Sequence, residues 1–138
     1  MAYVYVQRTG ELFEAAGHVV GNGYSGHGEG LNNPEWEDKV GAGPVPCGKY
    51  AIGSPHTPID HLGPVALPLI PAPENDMKGR CGFFIHGDNQ FLNQSASNGC
   101  IILVRPVREL LAYHAREKLL IVVAERDDVA GLYKSMTP

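Results

Sequence analysis

Apolar and polar residues alternate from the first positions of the chain: Ala2, Val4 and Val6 fall on one face, Tyr3, Tyr5 and Gln7 on the other. Polar Arg8-Thr9-Gly10-Glu11 follows, then a second short apolar run from Leu12 to Ala16. Period-two patterning about a glycine-bearing turn predicts a β-hairpin, and Val19-Val20 predicts a further strand. The segment 21–34, GNGYSGHGEGLNNP, is irregular and cannot be a helix. Two proline-bearing turns lead to a strand over Lys49–Ile52, and residues 54–64 are polar and turn-rich. Val65–Ile70 is another strand candidate in which Pro68 suggests an edge or a bulge. After a polar loop over 71–80, Gly82–His86 and Cys100–Val104 read as strands separated by a long polar loop. The clearest helix begins at Pro106, with Val107, Leu110, Leu111 and His114 at helical spacing. Leu119–Ala124 is a closing strand, and the tail beyond it reads as frayed. Six to eight short strands and one helix of about three turns predict a mainly β fold. Its economical form is a β-sandwich or partly closed barrel with one helix near the C-terminus.

Composition narrows the class. The 138 residues suit one domain over 1–138. A hydrophobic content of 43% with 19% charged residues places the chain among globular proteins. Gly 17 and Pro 11 fit a loop-rich β fold. The net charge of -4, with no basic stripe, gives nucleic-acid binding no support. No apolar stretch reaches the roughly 18 residues of a membrane span. The start MAYVYV has no secretory-signal pattern. The expectation is therefore synthesis in the cytoplasm, with any action outside it needing another export route.

The three cysteines are Cys47, Cys81 and Cys100. Each can be a small buried hydrophobe, and a Cys47–Cys81 bridge in an oxidising compartment would leave Cys100 free. The stretch Ile85-His86-Gly87-Asp88, followed by Ser97-Asn98-Gly99-Cys100-Ile101, carries the candidate chemistry. A cysteine nucleophile needs a base, because the thiolate attacks, and it needs N–H donors for the developing oxyanion. His86 ends one strand and Cys100 begins another, so antiparallel pairing could bring them together. Either could equally be a core residue. Cys81, His86 and Cys100 lack the close ligand pairs of a zinc site, so no metal and no cofactor is expected. His18, His56, His61 and His114 show no ligand spacing, and His27 could line a cleft. No Gly-x-Ser-x-Gly elbow supports a serine hydrolase.

The IHGD and SNGCI stretches resemble the active-site motif of the L,D-transpeptidase catalytic domain, the YkuD-like family. Further blocks, GYSGHGEGLNNP, GAGPVPCGKYAIG, GPVALPLIP and R-x-GFFIHGD, resemble a smaller relative, the DUF2778 family. That family includes Tlde1-type antibacterial effectors of type VI secretion systems. The resemblance runs over roughly residues 3–105. It implies Cys100 as nucleophile, His86 as general base and the Gly87 carbonyl as the group that steers the ring. It implies Asn98 and Gly99 as the source of oxyanion-hole amides and Ser97 as the motif's Ser/Thr. Asp88, Tyr24, His27, Arg80 and Arg105 are the substrate-binding candidates. Two departures concern the substrate site: Asn98 stands where the larger family has histidine, and Ile102 stands where it has arginine, the next arginine being Arg105.

The activity implied is cleavage of peptidoglycan stem peptides after their third residue through a thioester on Cys100. Water as acceptor gives L,D-carboxypeptidase activity, and an amine gives transpeptidation or D-amino-acid exchange. An effector of this kind would act in the periplasm or wall of a target bacterium after non-Sec export, and would have a cognate immunity protein as partner. His86 would lower the thiol's pKa by forming an imidazolium–thiolate pair. The alternatives are a non-catalytic wall-binding module of a phage or envelope protein, and a structural β-domain in which Cys100 is core.

Overall fold

A computed structural model describes residues 2–55, 64–89, 93–115 and 118–136. Among them nine short strands form a mainly β structure: β1 Tyr3–Val6, β2 Glu11–Phe13, β3 Val19–Asn22, β4 Tyr24–Ser25 and β5 Gly48–Ile52. The others are β6 Leu67–Pro71, β7 Phe84–His86, β8 Ile101–Ile102 and β9 Leu119–Val123. Their order is β3-β2-β1-β9-β5-β6-β7-β8-β4. The two ends of that order, β3 and β4, are consecutive in the chain and joined by Gly23 alone. The sheet therefore returns on itself as a nearly closed barrel, the second of the two predicted forms.

Closure rests on close backbone approach at two glycines. The Gly23 amide donates to Gly10 O at 2.8 Å. A Cβ on Gly23 would lie 1.7 Å from Ile102 O, and one on Gly10, which has φ +76°, would lie 1.9 Å from Gly23 O. No side chain fits either position.

The period-two pattern sorts residues into an interior and an exterior face. Tyr5, Leu12, Tyr50, Leu67, Ile85, Ile101, Leu120 and Val122 share one buried cluster, the barrel interior. Each such apolar side chain contributes about 1.5–3 kcal/mol on full burial. Val4, Val6 and Phe13 point the other way and pack with Val129. Both faces of β1 are thus covered.

Three sequence expectations are corrected. Pro68 lies in β6, which is flanked by β5 and β7 and is not an edge. It stands opposite Gly53, one residue past the end of β5; there Gly53 N–H donates to Pro68 O at 2.8 Å, so the proline's missing N–H costs only the reciprocal bond to Gly53 O beyond the end of β5. The segment 21–34 contains β4 and two 3-10 turns, Gly28–Gly30 and Pro34–Trp36. The tail forms a second helix, α2, over Asp127–Met136. Asp128 caps it by accepting the Glu125 amide at 3.0 Å, and Val129 and Leu132 supply one apolar turn against β1 and β2. Val129, Leu132, Tyr133 and Met136 stand at i, i+3, i+4 and i+7, a helical spacing that the reading of the tail as frayed passed over.

The predicted helix, α1, spans Arg105–Glu109 with Pro106 in its first turn and continues as a wider π turn over Leu110–His114. Val107 and Leu111 enter the core and His114 is exposed. Among the described residues no helix is long and apolar enough to cross a membrane. The turn-rich reading of 54–64 falls largely outside the described residues, as do His56 and His61.

Candidate active site

Strands β7 and β8 pair in parallel, Ile85 beside Ile101 and His86 beside Ile102. Since Ile85 and Ile101 face the barrel interior, Phe84, His86, Cys100 and Ile102 must face outward. His86 and Cys100 therefore occupy the same outer face of adjacent strands, offset by two residues. Strand spacing and rise put their Cα atoms roughly 8 Å apart. The antiparallel pairing expected from the sequence is overturned. The 14 residues over 87–100 are too long for a tight hairpin and match the longer return that parallel neighbours need.

Cys100 is a free thiol, as are Cys47 and Cys81. Its Sγ accepts the Phe84 amide at 3.3 Å, a normal distance for sulfur. The residue is half-buried and lines a cavity of about 330 Å³ with Arg80, Cys81, Gly82, Phe83 and Asn98. Burial raises the Cys100 pKa above the ordinary thiol range, while the Phe84 N–H and the Arg80 charge pull weakly the other way. The expected lowered thiol pKa is thus reversed, because desolvation of the thiolate outweighs the donors around it.

The turn before the nucleophile is built on Ser97, which is fully buried. Its Oγ accepts the amides of Gly26 at 2.8 Å and Gly99 at 3.0 Å, and donates to Cys100 O at 2.5 Å. Ser25 Oγ donates to Gly99 O at 2.8 Å. The Gly99 amide is therefore engaged within the turn. Asn98 is exposed at the cavity rim.

Arg80 holds this turn against the preceding loop. Its guanidinium donates to Glu37 O and Pro44 O at 2.7 Å, Gly43 O at 3.0 Å and Asn98 O at 3.1 Å. It also stacks over the Phe83 ring at 5.1 Å. With four carbonyls satisfied by one planar fork, Arg80 acts mainly as a brace, and it brings positive charge near Cys100.

His86 is 5% exposed, and its Nδ1 lies 2.8 Å from Gly87 O. A carbonyl only accepts, so this nitrogen carries the proton in the neutral ring and Nε2 bears the lone pair. His27 is held the same way by Ser97 O at 2.8 Å, beside the turn. Tyr24 donates to Asp88 Oδ1 at 2.7 Å and accepts the Ala96 amide at 3.1 Å, tying both ends of the long loop to β4. Burial and the Asp88 carboxylate push the Tyr24 pKa up to about 12.

Tyr24 and Asp88 line a different cavity, of about 140 Å³, with Ile102, Leu103 and Arg108. Arg105 lines neither of these cavities; it is exposed on α1 with its Nε 3.7 Å from Glu109. Arg108 is the residue that sequence reasoning missed. It sits one helical turn past Arg105, and its burial follows from α1 packing, which no local motif marks. Among the described residues no group of three histidine, cysteine or acidic side chains gathers as a metal site.

Fold and site together define a mainly β barrel with a cysteine and a histidine side by side on its outer wall. The chain belongs to the Tlde1 domain family, whose model matches residues 20–126. This is a family of type VI secretion effectors. No curated protein and no solved structure matches the chain.

Proposed function

We propose that the chain is a cysteine-dependent acyl transferase that cleaves peptidoglycan stem peptides after their third residue. The observation that carries this is Cys100 at a 330 Å³ cavity with His86 on the same outer face of the neighbouring strand, its Nδ1 turned to Gly87 O. A raised thiol pKa changes how the reaction must start. In this reading His86 Nε2 takes the thiol proton as sulfur attacks the carbonyl. The carbon–sulfur bond forms and the carbonyl oxygen becomes negative. With the Gly99 amide held by Ser97, the Cys100 and Asn98 amides are the available donors to that oxyanion. Collapse expels the terminal D-alanine amine, which takes the proton back from His86, leaving a thioester on Cys100. Water then gives a carboxypeptidase product, and an amine gives a crosslink or an exchanged D-amino acid.

In the setting of an exported effector, the enzyme would act in the periplasm or wall of a target cell and its producer would carry an immunity protein. Trimming donor stems would deprive the target of crosslinks. The test is mass spectrometry of tetrapeptide muropeptides incubated with the wild type and with Cys100→Ala. Loss of D-alanine with the wild type alone supports the assignment. Identical spectra would favour a wall-binding module without catalysis.

A further inference from the structure

The small cavity beyond His86 is lined by a buried cation that makes no ion pair among the described residues. Arg108 is 7% exposed. Its Nε donates to Leu103 O at 2.9 Å, and Nη1 to Pro64 O at 2.5 Å and more weakly to Val65 O at 3.4 Å. Among the described residues, Nη2 has no acceptor and no carboxylate pairs with the guanidinium. A buried cation balanced only by carbonyls is costly. Burial and the neighbouring Arg105 depress its pKa, but a guanidinium keeps its proton in proteins.

Nη2 points to the end of β7, where a Cβ on Gly87 would lie 2.8 Å from it. The guanidinium and Asp88 line the same 140 Å³ space, with Gly23, Tyr24, Leu103 and Val104. Asp88 Oδ1 accepts from Tyr24 and from the Asn89 amide, so the carboxylate is fixed in place. The cavity thus presents one fixed positive and one fixed negative group without a mutual ion pair. A simple anion would be attracted to Arg108 and repelled by Asp88. A ligand carrying both an ammonium and a carboxylate on one carbon satisfies both.

We propose that the Asp88–Arg108 cavity binds a zwitterionic α-amino-acid head group, carboxylate to Arg108 and ammonium to Asp88. Leu103 lies three residues past Cys100, about 10 Å along the strand, with His86 between the two cavities. The inference rests on the acyl-transfer reading for its two sources of such a group. One is a free D-amino acid, whose amine must lose its proton and leave this cavity before it can attack the thioester. The other is the side-chain end of a diamino acid at the third stem position.

Binding is read on full-length Cys100→Ala protein by amide chemical shifts, so it does not depend on turnover. The probes are D-alanine, N-acetyl-D-alanine and D-alaninamide, with two stem tripeptides ending in meso-diaminopimelate or in lysine. D-alanine is expected to shift Gly23, Leu103 and Val104 saturably, with each blocked analogue at least about tenfold weaker, one charge-assisted contact being lost. Asp88→Asn, at an exposed position, is expected to weaken D-alanine about tenfold and leave N-acetyl-D-alanine unchanged. Saturation by D-alanine identifies the free acceptor; saturation only by the meso-diaminopimelate tripeptide, and not the lysine one, identifies the stem head group. Analogues binding within about threefold of D-alanine, or no saturable shift at these residues with any probe, overturns the proposal. Failure of acyl transfer in the muropeptide assay, with these shifts intact, would instead remove the catalytic reading and leave the binding site.

Discussion

The Phe84 amide donates to the Cys100 sulfur at 3.3 Å, so strand β7 fixes the nucleophile's position before any substrate arrives. This contact stabilises negative charge on sulfur, yet burial of the thiol outweighs it. The two effects together set the first expectation. Iodoacetamide should alkylate Cys100 with a pH midpoint above the ordinary thiol value of about 8.5. His86→Ala should leave that midpoint nearly in place while lowering turnover at least about 10²-fold, since the ring acts as base during attack. A wild-type midpoint near neutrality, shifted upward by His86→Ala, would restore the ion-pair mechanism.

The other two thiols supply an internal standard. Burial and the Glu37 carboxylate push the Cys47 pKa up to about 12, whereas Cys81 is exposed. Peptide mapping after brief alkylation at pH 8 should find Cys81 modified first and Cys47 last. Early labelling of Cys47 would mean that the loop over 37–47 is not packed as described.

Ser97→Ala should destabilise the fold by about 3 kcal/mol, because two amides and one carbonyl lose their partner in a buried turn. Urea unfolding measures it. A loss under about 1 kcal/mol would show that the Ser97 hydroxyl does not organise the nucleophile turn.

Gly99→Ala meets a harder obstacle. At φ +140° the added Cβ would lie 2.5 Å from the Arg80 guanidinium and 2.7 Å from the Phe83 ring. A cost of at least about 2 kcal/mol is expected, from strain and displacement of the Arg80 brace. A stable variant of unchanged urea midpoint would contradict the packing around Arg80.

Two arginines should separate cleanly. Arg105→Ala removes an exposed side chain outside both cavities, so stability should stay within about 0.5 kcal/mol and turnover within about twofold. Arg80→Lys replaces a planar fork serving four carbonyls and should cost about 2 kcal/mol. A large effect at Arg105 would return it to the substrate-binding set.

Much of this was legible in the sequence: Tyr3–Val6 emerged from period-two alternation, and Phe84–His86 and the strand after Cys100 from short apolar runs bounded by polar loops. The tautomer-fixing contact between His86 and Gly87 is local, between neighbours, so a motif could imply it. Relations across the fold were not legible. The parallel register of β7 and β8, the closure at Gly23 and the burial of Arg108 depend on partners far away in the chain. Helix α2 was legible but passed over: Val129, Leu132, Tyr133 and Met136 keep helical spacing, with Gly131 interrupting the run, and only its packing on Val4, Val6 and Phe13 depends on distant partners. The thiol's pKa failed differently, since burial depth has no signature in a His–Cys spacing.

The central claim is that Cys100 forms a thioester with a stem peptide. Rapid acid quenching of the protein with a tetrapeptide stem, followed by intact-mass and peptide mass spectrometry, tests it most directly. The expected result is a transient adduct with the mass of the acyl tripeptide, mapped to Cys100, removed by hydroxylamine and absent in Cys100→Ala. D-alanine release without any adduct on Cys100, or an equal rate of release by Cys100→Ala, would contradict it.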